Sequence, residues 1–431
     1  MKTFSIPAMD LIHFYLLNGS QASVITYEVR LKEETDSKAM REALCDTLKN
    51  FPHFSLCPVI INNEIRFAVN EAEPVILTDH ESVNLGEDAV HGFLFALSAV
   101  GQVLRFRCHH GLADGRGCLT FLKALLYFYY VRTGEEVPLN GDLQTEEGEY
   151  GFVPYAEKHT DPSVKPFGQF QKKEDGRPDF IRPDERFQNT SEGQVIELTC
   201  PIRSVLEIAK RSDTTPVPFL SVLAAQAFRN VYGISDQMIY VGTAVDERVI
   251  FKDHAGNNAA GGAVLPYFPA MSKMDLGLQV TAMRSRLDLE LQPENVITDV
   301  NHYIGMAAAF KAVPMPVTSV PALISAKIAA ASSGRTCQIS YVGGVRLPEA
   351  LQKHVGSISV CYTPFLLPTY IMAAENNGVL RITATQNCKS DVLFREFYRL
   401  LKKEIPATEY ADLGTRLFDG FYLDHMRKIT E

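Results

Sequence analysis

The sequence predicts a mixed α/β protein built as two lobes, on three observations. Runs of alternating apolar and polar residues recur between runs of helical period, so strands and helices interleave along the chain. With 431 residues, 46% of them hydrophobic, the chain can bury a large core yet exceeds the usual size of one domain. Periodicity then fades from about Gly134 to Gly193, where Pro, Gly and charged residues dominate, as in Glu146-Glu147-Gly148, Lys172-Lys173-Glu174-Asp175-Gly176 and Arg182-Pro183-Asp184-Glu185. The expected lobes are residues 1–180, with a surface connection from about 134, and residues 190–431.

In the first lobe, Ile25 to Leu31 alternate and read as a strand, Ser37 to Lys49 has helical spacing, and Phe54 to Pro58 and Glu64 to Val69 read as short strands. The apolar run Asp88 to Ala99 predicts a helix, and Val103 to Cys108 a strand of period two. Residues Asp114 to Val131 read as a helix: Asp114 suits the N-cap, and Leu119, Leu122, Leu125, Leu126 and Tyr129 recur at helical spacing. In the second lobe, Gln194 to Thr199 and Met238 to Val245 read as strands, and Ile202 to Arg211, Phe219 to Tyr232 and Leu276 to Leu291 as helices. Ala322 to Ala331 fits a buried helix; strands near Ile358 to Tyr362, Thr369 to Ala374 and Leu380 to Thr385 and a helix near Val392 to Lys403 complete the chain.

The stretch that carries chemistry is His109-His110-Gly111-Leu112-Ala113-Asp114-Gly115, at the turn from the Val103 strand into the Asp114 helix. Alternation sets Leu104, Phe106, Cys108 and His110 on one face and Val103, Arg105, Arg107 and His109 on the other, so the two histidines point apart. Neighbours on opposite faces converge poorly on a metal ion. There is no Gly-x-Ser-x-Gly elbow, and Cys118 lies inside the helix, where a buried, inert thiol is expected. What remains is one histidine acting as a general base, since imidazole titrates near neutral pH, or else a core histidine satisfied by backbone hydrogen bonds.

The motif HHxxxDG resembles the signature of the acyltransferase superfamily that contains chloramphenicol acetyltransferase, the condensation domains of peptide synthetases and free-standing alcohol acetyltransferases, and the chain is most similar to the last. Three further blocks are similar to that family in order: Phe4 to Asp10 with Ala39 to Leu44 and Phe51-Pro52; Val245-Asp246-Glu247-Arg248 with Gly256-Asn257; and Ser340-Tyr341-Val342-Gly343-Gly344. The resemblance implies a pseudo-dimer of two chloramphenicol-acetyltransferase-like lobes with a tunnel between them. A thioester donor, acyl-coenzyme A or an acyl group on a carrier protein's phosphopantetheine, would enter from one face and an alcohol or amine acceptor from the other. His110 would be the base, with Asp114 as the second residue of the catalytic motif. Asp114 is expected to pair with Arg248 of the other lobe rather than to orient His110. His109 would support the fold, and Gly115 would let the turn pack closely. Candidates for the oxyanion or for the tunnel lining are Ser340, Asn257 and a backbone amide near the turn. The glycine-rich Gly256 to Gly262 has Ala263 where a phosphate loop needs Lys, so it reads as a mobile loop beside the tunnel.

Composition narrows the partners. A net charge of −9 argues against nucleic acid or an anionic membrane. The eight cysteines (Cys45, Cys57, Cys108, Cys118, Cys200, Cys337, Cys361 and Cys388) form no Cys-x-x-Cys pair, which fits reduced thiols. Asp10 and His13 interrupt the first apolar stretch and no cleavage pattern follows, while Ala89 to Val100 and Ala322 to Ala331 are too short to span a bilayer. A cytoplasmic monomer is therefore expected, with the sequons at Asn18 and Asn189 as chance matches. There is no Trp, and none of the blocks of wax ester synthases or plant acyltransferases is present. Lys172-Lys173 is the one conspicuous basic pair, poor docking for an acidic carrier protein. The expected activity is transfer of a short acyl group from acyl-coenzyme A to an alcohol, with no tightly bound cofactor and no metal. The alternatives are a stand-alone condensation protein that takes its donor from a carrier protein, and a catalytically silent binding member of the family.

Overall fold

The protein is described from a computed structural model over residues 2–17, 22–139, 143–148, 152–167, 189–234, 236–324, 336–364, 367, 369–388 and 390–429. Asn18, Lys172-Lys173, Arg182 to Glu185 and most of Ala322 to Ala331 lie outside the described residues.

The strands, in chain order, are β1 (Thr3–Ser5), β2 (Val24–Leu31), β3 (Leu56–Ile61), β4 (Glu64–Val69), β5 (Ile76–Leu77), β6 (Phe95–Val100), β7 (Val103–His109), β8 (Asn189–Pro201), β9 (Ile239–Asp246), β10 (Ala260–Tyr267), β11 (Cys337–Gly344), β12 (Val355–Tyr362), β13 (Thr369–Asn376), β14 (Val379–Cys388), β15 (Glu409–Arg416) and β16 (Arg427–Ile429). They form a five-stranded sheet β12-β2-β7-β6-β5, a four-stranded sheet β1-β4-β3-β16 and a seven-stranded sheet β10-β9-β11-β13-β14-β8-β15. Pairing is mixed: β5 with β6, β11 with both β9 and β13, and β16 with β3 are parallel, and the rest antiparallel. The fold is thus mixed α/β in two lobes.

The helices that matter to the site are α1 (Ala8–Tyr15), α2 (Ser37–Asn50), α3 (Gly115–Arg132), α4 (Tyr155–His159), α5 (Ile202–Arg211), α6 (Pro216–Tyr232), α7 (Arg248–Phe251), α8 (Leu276–Glu290) and α9 (Pro293–Lys311). In the first lobe α1, α2 and α3 bury Phe14, Met40, Leu44, Leu122 and Leu126 against Leu104, Phe106 and Cys108 of β7. In the second, α6, α8 and the last helix, Val392–Glu404, cover the seven-stranded sheet through Phe219, Phe228, Met283 and Phe397. Residues late in the chain also return to the first core: Ile358 and Val360 of β12, and Val300 and Ala307 of α9. Because β12 pairs with β2 and β16 with β3, the spatial lobes are knitted across the sequence seam.

Two expectations for the first half are corrected. Asp88 to Ala99 is not a helix but a short 3-10 turn, Asp88–Val90, followed by β6. His91 and Gly92 adopt positive φ (49° and 79°) and end the turn, and Phe95 to Ala99 are buried on both sides, a pattern that periodicity does not separate from a buried helix. The connection after Gly134 is not all surface either: α4 interrupts it, and Tyr155 and Ala156 are fully buried. The apolar run Phe152 to Ala156, interrupted by Pro154, is too short to show a helical period.

Candidate active site

The antiparallel register of β7 with β2 brings Val24 opposite His109, at the rim of the first lobe. The strand ends there. His110 donates its backbone N–H to the Ser23 carbonyl (2.7 Å) and leads the chain into α3. Asp114, extended at ψ −178°, caps that helix by accepting the Gly117 N–H at 2.9 Å, a local bond that explains why the helix starts where the sequence placed it.

The two histidines occupy different surroundings. His109 is fully buried, its ring stacked 4.7 Å from Phe14 and tilted against Phe421, with Nδ1 accepting the Gly111 N–H at 3.0 Å. Burial, helped by His110, pushes its pKa down to about 3. His110 is half-buried; its ring stacks on His13 of α1 at 4.0 Å and meets Tyr362 of β12 edge-on at 5.8 Å. Its carbonyl accepts from Asn258 Nδ2 at 2.6 Å. Burial holds the His110 imidazole below its ordinary pKa although the Asp114 charge pulls the other way, so the ring is neutral near pH 7. His13 is depressed further, by burial and by both neighbouring histidines. Tyr362 is held in turn through a short hydrogen bond between its hydroxyl and Ser23 Oγ.

Asp114 does not touch His110. Its Oδ1 takes the Gly117 N–H, and its Oδ2 takes the Ala259 N–H (3.0 Å) and Arg248 Nη2 (2.8 Å). Arg248, 8% exposed at the start of α7, also binds Asp246 Oδ1 (3.0 Å) and the carbonyls of Ala255 (2.6 Å) and Asn257. Burial opposes its charge, but Asp114 and Asp246 outweigh that and hold the guanidinium above its usual pKa. As a result, Asp114 and Arg248 fasten the α3 turn to residues 255–259, and Asp114 acts on His110 only through its position and charge.

Residues 255–262 are no mobile loop. Ala260 to Gly262 already belong to β10, and Ala255, Asn257 and Ala259 are held by Arg248 and Asp114. A Cβ on Gly261 would lie 1.9 Å from Glu247 Oε1, so this glycine permits close approach rather than motion. Asn257 is corrected as an oxyanion candidate. Both hydrogens of its amide are engaged, by Asp10 Oδ2 (2.8 Å) and the Val153 carbonyl (3.0 Å), and its Oδ1 accepts the Val153 N–H. Its neighbour Asn258 was missed. It bridges the His110 carbonyl to Asp10 Oδ1 (2.7 Å), and burial lifts the Asp10 carboxyl to about 8 despite the two asparagine donors.

Ser340 is half-buried on the β11 face shared with Val342, opposite Ile339 and Tyr341, which pack into the second core. That face looks toward the α3 turn, since a Cβ on Gly115 would lie 3.5 Å from Val342 Cγ1. The same distance is ordinary contact, so Gly115 is not where the turn needs a glycine. Gly117 is: a Cβ there would meet the Gly256 carbonyl oxygen at 2.2 Å. Accordingly, Gly117→Ala is expected to destabilise by about 1–3 kcal/mol through overpacking, and Gly115→Ala to stay within about 0.5 kcal/mol. Denaturant titration of the two variants checks the contrast; equal losses would remove it.

Of the residues marked in the sequence, His109, His110, Asp114 and Arg248 come together, Gly115 and the Ser340 face flank them, and Asn257 lies in the fastening behind. Among the described residues no group of three or more His, Cys, Asp or Glu side chains is arranged to hold a metal, and no helix is long and apolar enough to cross a membrane.

No family model and no curated protein matches the chain. Solved structures share its fold. Polyketide synthase associated protein 5 from Mycobacterium tuberculosis superposes with a TM-score of 0.65 at 12% identity, over 94% of this chain and 99% of that one. The trichothecene 15-O-acetyltransferase of Fusarium sporotrichioides gives 0.61 at 11% identity, over 94% and 95%. A protein of F. graminearum solved with coenzyme A and T-2 mycotoxin gives 0.59 at 11% identity, over 95% and 100%.

Proposed function

We propose that this chain is a member of the HHxxxDG acyltransferase superfamily that moves a short acyl group from acyl-coenzyme A to an alcohol, with His110 as general base. The observation that carries the reading is a neutral, half-buried imidazole at the strand-to-helix turn, braced by His13, Tyr362 and Asn258, which come from three distant parts of the chain. Two proteins of the same fold bear on it: one is named as an O-acetyltransferase, and another was solved with coenzyme A and a small toxin.

In the reaction, His110 takes the hydroxyl proton of the acceptor as its oxygen attacks the thioester carbonyl. The tetrahedral oxyanion collapses, the carbon–sulfur bond breaks, and the imidazolium returns the proton to the departing thiolate, leaving an ester and free coenzyme A. Ser340 and a backbone N–H of the turn are the candidate donors to the oxyanion. Asp114 and Arg248 hold the turn and keep the imidazole in position. Substrates would reach His110 through a tunnel between the lobes.

A base whose pKa is depressed by burial stays unprotonated at lower pH. The acid limb of kcat/KM is therefore expected below the ordinary imidazole value of 6.5, with activity level as pH falls through that point. A limb at or above 6.5 would assign the base elsewhere. Release of coenzyme A thiol from short acyl donors and small alcohols tests the reaction itself. Silence there, with turnover when the acyl group rides on a carrier protein, would favour a condensation protein, and silence with both a binding member of the fold.

A further inference from the structure

Arg105 and Arg107 alternate with the core residues of β7 and face the space between the five-stranded sheet and the end of β15. A small solvent-connected cavity lies there, lined among others by Thr26, His80, Arg105, Arg107, Arg416 and Asp419. Glu28 lines the adjoining space with Arg416.

The donors in this cavity are unevenly matched. Arg105 is satisfied: Nε and Nη2 bind Glu28 Oε2 (3.3 and 2.8 Å), and Nη1 the His80 carbonyl (3.2 Å). Arg107, only 4% exposed, uses Nη1 on the Glu81 carbonyl (2.6 Å) and Asp419 Oδ1 (2.9 Å), while its Nε and Nη2 have no partner. The Nε of Arg416 is also buried without one. Three guanidinium groups therefore face two carboxylates, Glu28 and Asp419. Burial and Arg105 keep His80 neutral, and Asp79, which also acts on Arg107, is exposed. One positive charge is left in excess along the cavity, where Arg107 is buried and Arg416 partly exposed.

The geometry of Arg107 specifies what fits. Nε and Nη2 form one edge of the guanidinium, and their N–H bonds run parallel, the fork that grips two oxygens of a single carboxylate or phosphate. We propose that this cavity is a binding site for an oxyanion, the carboxylate or phosphate group of a small molecule, held by the Nε/Nη2 edge of Arg107 with Arg416 as the second cation. The proposal does not depend on the reading of His110 as a base.

Thermal unfolding in acetate and in phosphate, each against chloride at the same ionic strength, tests it in the wild type, Arg107→Lys and Arg416→Gln. Arg107→Lys keeps a positive charge beside Asp419 but has no fork. Ligand binding to the native state raises Tm with ligand concentration, so acetate, phosphate or both should stabilise the wild type beyond chloride. The responding anion identifies the source. The excess should vanish in Arg107→Lys, its fold checked by circular dichroism, and weaken several-fold in Arg416→Gln. No excess over chloride, or a response in folded Arg107→Lys equal to wild type, overturns the proposal. Should Arg107→Lys fail to fold, an undiminished response in Arg416→Gln overturns it.

Discussion

Replacing His110 by Ala should lower acyl transfer about 100-fold or more, the scale expected for loss of a positioned general base. The fold should survive, because the ring is half-buried and the contacts that anchor the turn are backbone bonds, from His110 N–H to Ser23 and from Asn258 to the His110 carbonyl. His109→Ala is the control. That ring is fully buried between Phe14 and Phe421, so its loss should act mainly on stability. Thiol release by the two variants, beside their unfolding curves, separates chemistry from packing. Near wild-type turnover in His110→Ala would end its candidacy.

The second large effect is expected at the clamp. Arg248→Ala leaves the buried Asp114 charge without its ion-pair partner, which costs about 3–5 kcal/mol, and Asp114→Ala, after which Asp246 still pairs with Arg248, should cost less. Asp114 is 1% exposed and Arg248 8%, so solvent offers little compensation. The guanidinium also holds two carbonyls of residues 255–257 in place, and Arg248→Lys, with a single ammonium group, should recover only part of the loss. Denaturant midpoints at unchanged slope measure these values. A loss under about 1 kcal/mol for both alanine variants would mean that the pair contributes no more than a surface ion pair.

Local features were legible in the sequence. The period-two run into His109, the N-cap at Asp114 and the helical spacing after it are set by residues within a few positions of one another, and β7 and α3 form where those signals lie. Isolated signals misled. The strand Phe95 to Val100, buried as far as Ala99, has no exposed polar face to mark its period, and the glycine-rich 256–262 segment serves close approach, not motion. Nor does composition distinguish Gly115 from Gly117; only the Gly256 carbonyl does.

The chain by itself determined local elements such as β2, α2, β7 and α3 and the turn that carries two histidines, because propensity, capping and periodicity act over one or two turns of backbone. Only the tertiary structure decided what surrounds His110. Asp10 and Asn258 lie 248 positions apart, Asn258 and His110 lie 148 apart, and Ser23 and Tyr362 lie 339 apart. The same holds for the cavity behind β7, where Arg107 and Asp419 meet across 312 positions. Such contacts arise when sheets pack face to face and late strands rejoin early ones, and no local pattern records which side chains will then be neighbours.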